Sequence, residues 1–253
     1  MITTTQAKPP GRWARLHDRF IVEERDETAA AKRTLYLIAA MLIGVGLILF
    51  GTMLISVLTS GPLLDVDEPV AEWAEKSRSD GVTTVMVALS LFFGPLVFPW
   101  AALAVVVAWG LFAKHLWRPL LLAGGILVGV AGVRLLALLV GRERPPLATM
   151  LMEKDYSESF PSGHVVGASA LILLIAYLVF SRRKSRVSAV IAFAFAAVLV
   201  LATAASRIYL GYHWMTDAIG SVGLALVILG VIMAIDTART VRVGDEKPDA
   251  LPG

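Results

Sequence analysis

The chain has 253 residues, no cysteine, 57% hydrophobic and only 17% charged residues, and a mean hydropathy of +0.73. Soluble domains carry about a quarter charged residues, so a deficit of this size must be laid out in long apolar runs, which excludes a cytosolic enzyme or a DNA-binding protein. A formal charge of +3 is too small to attract nucleic acid, and without cysteine there are no disulfides, thiolate metal sites or cysteine nucleophiles.

Residues 1–33 are polar and mixed in charge, with seven Lys or Arg interleaved among five Asp or Glu, and are expected to form a cytoplasmic N-terminal segment rather than a cleavable signal peptide. Residues 34–236 read as one membrane domain. Since about 20 apolar residues cross a hydrocarbon slab of ~30 Å, residues 35–58 form the first span. A polar, net acidic stretch at 61–81 follows, and apolar sequence returns over 82–113, interrupted by Gly94, Pro95 and Pro99. Because no polar loop divides that run, it is expected to be a short surface helix leading into one kinked span. Four further spans are expected at about 120–140, 165–180, 187–205 and 218–235, before a cytoplasmic polar tail at 237–253. The predicted fold class is therefore all-α, a polytopic cell-membrane protein with six transmembrane helices.

Lys and Arg concentrate in the N-terminal segment, at 114–118, in Arg182, Arg183, Lys184 and Arg186, and in the tail. In a six-span chain these lie on one side, which the positive-inside rule makes cytoplasmic. The stretches 61–81, 141–162 and 207–214 then face outward. No internal repeat suggests an inverted-repeat transporter.

Polar residues at membrane depth are costly and are kept for function, so the outer ends of spans three to six are where chemistry is expected. Gly141-Arg142-Glu143-Arg144-Pro145-Pro146 closes the third span, and its two guanidinium forks suit phosphate oxygens or simply an interfacial anchor. Phe160-Pro161-Ser162-Gly163-His164 opens the fourth. Its free backbone N–H groups favour an anion, while Ser162 serves equally well as a plain helix cap. The third motif runs from Ser206-Arg207 to His213 and Asp217. If the sixth helix begins by His213, a spacing of four sets the carboxylate against the imidazole and fixes its tautomer. The remaining histidines, His17 and His115, fall on the cytoplasmic side. Trp73, Phe160 and Trp214 are expected in an aromatic belt at headgroup level.

Arg144-Pro145, then Pro161-Ser162-Gly163-His164, then Ser206-Arg207 with His213 and Asp217, together resemble the type 2 phosphatidic acid phosphatase superfamily, over roughly residues 35–236. The resemblance implies a membrane phosphatase acting on a lipid phosphate or polyprenyl pyrophosphate through a phosphohistidine. It further implies His213 as nucleophile, Asp217 as its orienting acid and His164 as the acid for the leaving alkoxide. Arg144, Arg207, Ser162 and the Gly163 amide would hold the phosphoryl oxygens. The family pattern places a lysine where this chain has Ala137, and Arg134, one turn deeper, and Arg142 are the two candidate replacements.

Phosphomonoester cleavage needs cations on the non-bridging oxygens, an in-line nucleophile and an acid for the leaving group. Two arginines, a carboxylate-oriented histidine and a second histidine supply these, so the expected chemistry calls for no metal and no cofactor. A lipid phosphotransferase shares the first half-reaction. A non-catalytic phospholipid-binding or transport protein on the same scaffold is the other reading, favoured by Ala137 and opposed by the two histidines and Asp217.

Overall fold

The computed structural model describes Trp13 and residues 25–113, 115–181 and 185–243. Eight α-helices form among them: α1 Ala29–Thr59, α2 Asp67–Lys76, α3 Asp80–Phe92, α4 Phe98–Phe112, α5 Trp117–Val140, α6 Gly163–Phe180, α7 Arg186–Tyr209 and α8 Met215–Thr240. Two three-residue strands, β1 Arg25–Glu27 and β2 Val241–Val243, pair in parallel and join the two ends of the described chain. Helices α1, α5, α6, α7 and α8 are each long and apolar enough to cross a membrane. His17 and the basic residues Arg182, Arg183 and Lys184 lie outside the described residues.

Helix α6 is central. Of its eighteen-residue apolar window 67% is buried, against 17% in α1 and α5, because it is walled by α5, α7 and α8 together. Its apolar residues therefore run around the whole helix instead of forming a stripe. Val165, Val166, Ala168 and Leu174 are fully buried on it. Helices α1 and α8 pack on a seam of small residues, where a Cβ on Gly46 would stand 2.6 Å from the Gly223 carbonyl. Such close backbone approach gains dispersion contact that bulky side chains would forbid.

The apolar run 82–113 divides into α3 and α4 around Gly94 and Pro95. Both halves of α3 touch the C-terminal end of α7: the Ser79 N–H just before it donates to the Tyr209 hydroxyl at 2.9 Å, and Ser90 bonds Arg207. It therefore lies along that end of the bundle. Helix α4, fifteen residues and about 22 Å long at 1.5 Å per residue, leads away toward Trp117. There the Trp117 indole donates to Asp236 at 2.9 Å, at the opposite end.

The stretch 61–81, read from sequence only as a polar loop, holds a 3₁₀ turn at Pro62–Val66 and the helix α2. Asp67 and Glu68 in its first turn and Lys76 in its last complement the helix dipole. Phe160 departs from the expected aromatic belt, being wholly buried and stacked on Phe50 at 5.8 Å between centroids. An aromatic ring with no polar tip gains most by full burial. Trp73 is 69% exposed on α2, and the half-buried Trp214 donates to the Glu143 carbonyl at 3.0 Å.

Candidate active site

The C-terminal ends of α5 and α7 and the N-terminal ends of α6 and α8 meet at one end of the bundle, as antiparallel neighbours must. Helix α5 stops at Gly141, whose φ of +61° puts it in the left-handed region that glycine enters without a Cβ penalty. The chain then crosses the bundle end, and Ser159 N–H to the Arg142 carbonyl at 2.8 Å pins the return. Ser162 is buried and caps α6, its hydroxyl accepting the Val165 N–H at 3.5 Å while its own N–H donates to Ser221 Oγ at 2.8 Å. Of the two readings of Ser162, the cap is the one its contacts realise. It does not line the cavity, whereas Gly163 and His164 do.

After α7, the N–H groups of Tyr212 and His213 both turn back to the Arg207 carbonyl, at 2.9 and 3.3 Å. Helix α8 starts at Met215, not at His213 as the spacing argument assumed, so the two residues do not share a helical turn. They still meet, because Asp217 reaches back over the helix start. Its Oδ2 accepts the Trp214 N–H at 2.9 Å and lies 3.4 Å from His213 Nδ1. Asp217 Oδ2 is also bonded by the buried Ser159 hydroxyl.

His213 Nε2 lies 3.1 Å from Arg144 Nη1. A guanidinium can only donate, so Nε2 is the lone-pair nitrogen and the ring proton sits on Nδ1, facing Asp217. Burial, helped by the charges of Arg144 and Arg207 and opposed by the nearby Asp217 carboxylate, pushes His213 from an ordinary 6.5 down to about 4. The ring is therefore neutral near pH 7.

Arg144 is fixed by carbonyls of Tyr212 at 2.7 Å and Ser157 at 2.9 Å and by Asp155 at 3.0 Å. Burial lowers its pKa, with Asp155 and Asp217 pulling the other way. Burial would raise Asp155, but the Ser157 N–H and hydroxyl and then Arg144 outweigh it and hold the carboxyl below its usual range. Arg207 is 3% exposed, bonds Ser90 and stacks its guanidinium 4.2 Å over the Tyr212 ring. Its Nε–H is buried with no acceptor among the described residues.

A cavity of about 340 Å³ opens at this end, lined by Arg144, Gly163, His164 and His213 and walled by Phe93, Phe98 and Val133. Ala137 and Arg134 line the same cavity. Arg134 is exposed on α5 and engages no carboxylate among the described residues. Arg142 does not line it. Its guanidinium is held between Asp67, at 2.6 Å, and Asp217, with Thr216 Oγ1 at 2.8 Å. Two carboxylates therefore occupy the forked donors that sequence reasoning offered to phosphate, and Arg142 is removed from the candidates for the missing lysine's place. Asp67, Ser90 and Ser159 were invisible to motif reading, since nothing in their local spacing marks them.

A multi-span, all-helical membrane protein with a cationic, two-histidine cavity at one end of its bundle is the class that this fold and site define. Residues 118–240 match the model of the PAP2 superfamily. It is 26% identical over 200 residues to phosphatidylglycerophosphatase B of Bacillus subtilis (strain 168), covering 76% of this chain and 94% of that protein. Among solved structures it resembles the transmembrane PAP2-type phosphatidylglycerolphosphate phosphatase from Bacillus subtilis, with a TM-score of 0.68, 22% identity, and 76% of this chain and 96% of that one covered. It also resembles Aquifex aeolicus LpxE, with a TM-score of 0.50, 18% identity, and 66% and 94% covered.

Proposed function

We propose that this protein is a membrane phosphatase that removes the terminal phosphate of a lipid phosphate or polyprenyl pyrophosphate, with His213 as the nucleophile. The observation that carries this is the placing of the ring: His213 Nε2 lies 3.1 Å from Arg144 Nη1 and Nδ1 lies 3.4 Å from Asp217 Oδ2, in the cavity that also holds His164, an arrangement that favours an unprotonated Nε2. Binding alone would need the cations and not an oriented imidazole.

In the proposed reaction Nε2 attacks phosphorus in line, the P–O bond to the leaving oxygen breaks, and His164 donates a proton to that oxygen. Arg144, Arg207 and the Gly163 N–H at the start of α6 hold the phosphoryl oxygens, where guanidinium forks and a helix N-terminus stabilise the charge that spreads in the transition state. Water then attacks the phosphohistidine, with His164 taking its proton, and phosphate leaves. Ser162 acts by shaping the helix start. None of these steps draws on a metal.

We rank phosphatidylglycerophosphate first among candidate substrates because the Bacillus subtilis relative is named for it. The test is phosphate release by the purified protein in detergent, with EDTA, against phosphatidate, phosphatidylglycerophosphate and a polyprenyl pyrophosphate. Turnover of at least one lipid that His213→Ala abolishes is expected. Release that stops with EDTA and returns with a divalent ion would overturn the metal-free reaction.

We infer from the basic clusters that the site faces outward, with α4 as the sixth crossing and the amphiphile entering laterally from the bilayer. The chain has no cysteine, so single cysteines can report orientation. In intact cells an impermeant maleimide is expected to label Ser157→Cys and to spare Ser185→Cys, and the reverse pattern would invert the topology.

Arg134 is proposed to supply the charge that Ala137 lacks. It stands one turn below Ala137 on the wall of the cavity, and an arginine in an apolar span is costly to keep without an anionic partner. Arg134→Gln is expected to lower kcat/KM by about tenfold to a hundredfold, the worth of one positioned cation in a shielded site. Adding Ala137→Lys should then restore much of it. A variant that lowers only the melting temperature, with no rescue, would make Arg134 structural.

A further inference from the structure

Asp67 begins α2, at the end of the bundle that carries the cavity and 150 positions before Asp217, and is 5% exposed. Its Oδ1 accepts the Thr216 N–H at 2.9 Å, and its Oδ2 accepts the Thr216 hydroxyl at 2.7 Å and pairs with Arg142 Nη2 at 2.6 Å. The other terminal nitrogen of Arg142 bonds Thr216 Oγ1 and Asp217 Oδ1. Asp217 thus presents Oδ1 to Arg142 and Oδ2 to Ser159, Trp214 and His213.

The charges matter as much as the geometry. A lone Arg142–Asp217 pair would be neutral, with the cation drawing the carboxylate's density away from the imidazole. A second carboxylate on the far side of the guanidinium leaves the three groups with one net negative charge behind His213. On the front of the ring the facing charged and titratable groups are Arg144, Arg207 and His164, with Asp155 behind Arg144. When Nε2 bonds phosphorus the imidazole becomes cationic while keeping its Nδ1 proton, and that net negative charge opposes the two arginines.

We propose that Asp67 is a positioning residue for the His213–Asp217 pair, acting through Arg142: it anchors the guanidinium so that Asp217 keeps one oxygen turned to His213, and it preserves the negative charge behind the ring. The surface helix α2 thereby belongs to the catalytic architecture, although Asp67 does not line the cavity. The assignment rests on His213 being the nucleophile, yet its structural core can be read without turnover.

The experiment is a pH titration of the full-length protein in detergent, following His213 by ¹⁵N NMR with His213→Gln for assignment. Kinetics on whichever lipid the wild type cleaves are measured in parallel. Asp67→Asn keeps the size and an acceptor oxygen but removes the charge. It is expected to weaken proton binding at His213 by about threefold or more, and to lower kcat by about tenfold with KM within about twofold. Asp67→Asn with an unchanged His213 midpoint, or with only a lower melting temperature, would overturn the proposal. Should that variant not fold, Arg142→Lys keeps the charge but loses the fork that spans two carboxylates. It should lower kcat and leave the His213 midpoint nearly in place, and an unchanged kcat would be equally fatal. If the wild type cleaves no lipid, the phosphatase reading fails while the shift of the His213 midpoint still decides whether Asp67 acts on the ring.

Discussion

His213→Ala is expected to eliminate phosphate release, by about 10⁴-fold or more, the scale on which losing a nucleophile removes every later step of a covalent mechanism. His164, the second residue of α6, also lines the cavity but has no carboxylate partner of the Asp217 kind among the described residues, and Arg144 cannot be a nucleophile. The check is single-turnover phosphate release together with trapping of the phosphoenzyme by an alkaline denaturing quench, its loss on later acid treatment marking it as a base-stable, acid-labile phosphohistidine. Wild type should show the labelled intermediate and His213→Ala should not. Near-normal turnover in the variant would transfer the nucleophile elsewhere and remove the basis of the mechanism.

The second large effect belongs to Asp217. Asp217→Asn is expected to cost about 10²- to 10⁴-fold in kcat, because an amide can present its NH₂ to His213 Nδ1 and so favour the tautomer with the proton on Nε2, the nitrogen that must attack. The same variant leaves Asp67 as the one carboxylate paired with Arg142 among the described residues. The pH profile is a second readout. With His213 at about 4, well under its ordinary 6.5, kcat/KM of the wild type should be insensitive to this group through neutral pH and should fall on the acid side with a midpoint near that value. Stability follows the same sign. The neutral form is favoured in the folded state, so the contribution is complete above about 6.5 and is lost as pH falls toward about 4. Removing the Asp217 charge takes away the main influence that raises His213, so the acid limb should move further down. An acid limb that stays in place while kcat collapses would show that Asp217 fixes geometry without bearing on the charge of the ring.

What the sequence settled by itself was whatever depends on the local solvent of each segment. Long apolar runs must become helices in lipid, because a backbone with no water must satisfy its own hydrogen bonds. That is why five of the spans lie within a few residues of the helices now seen, and why Gly141 and Ser162 marked a helix end and a helix start. The residues that line the cavity were legible for the same reason: Arg144, Gly163, His164 and His213 sit beside Pro and Gly punctuation at helix ends, where polar groups at membrane depth have few other uses. Only the tertiary structure decided which charges face one another. Arg142 and Arg144, two positions apart in one motif, turn to opposite sides of His213, one to Asp67 and Asp217 and the other to Nε2 of the ring. Asp67 could not be found from its own segment, since an acidic residue opening a helix is explained by the helix dipole alone and its partners lie 75 and 149 positions away. Phe160 went inward for want of any polar atom to hold it at the surface. Pairings of this range are fixed by how α2, α5 and α8 meet, and the meeting of helices is a property of packed shapes that no local spacing encodes.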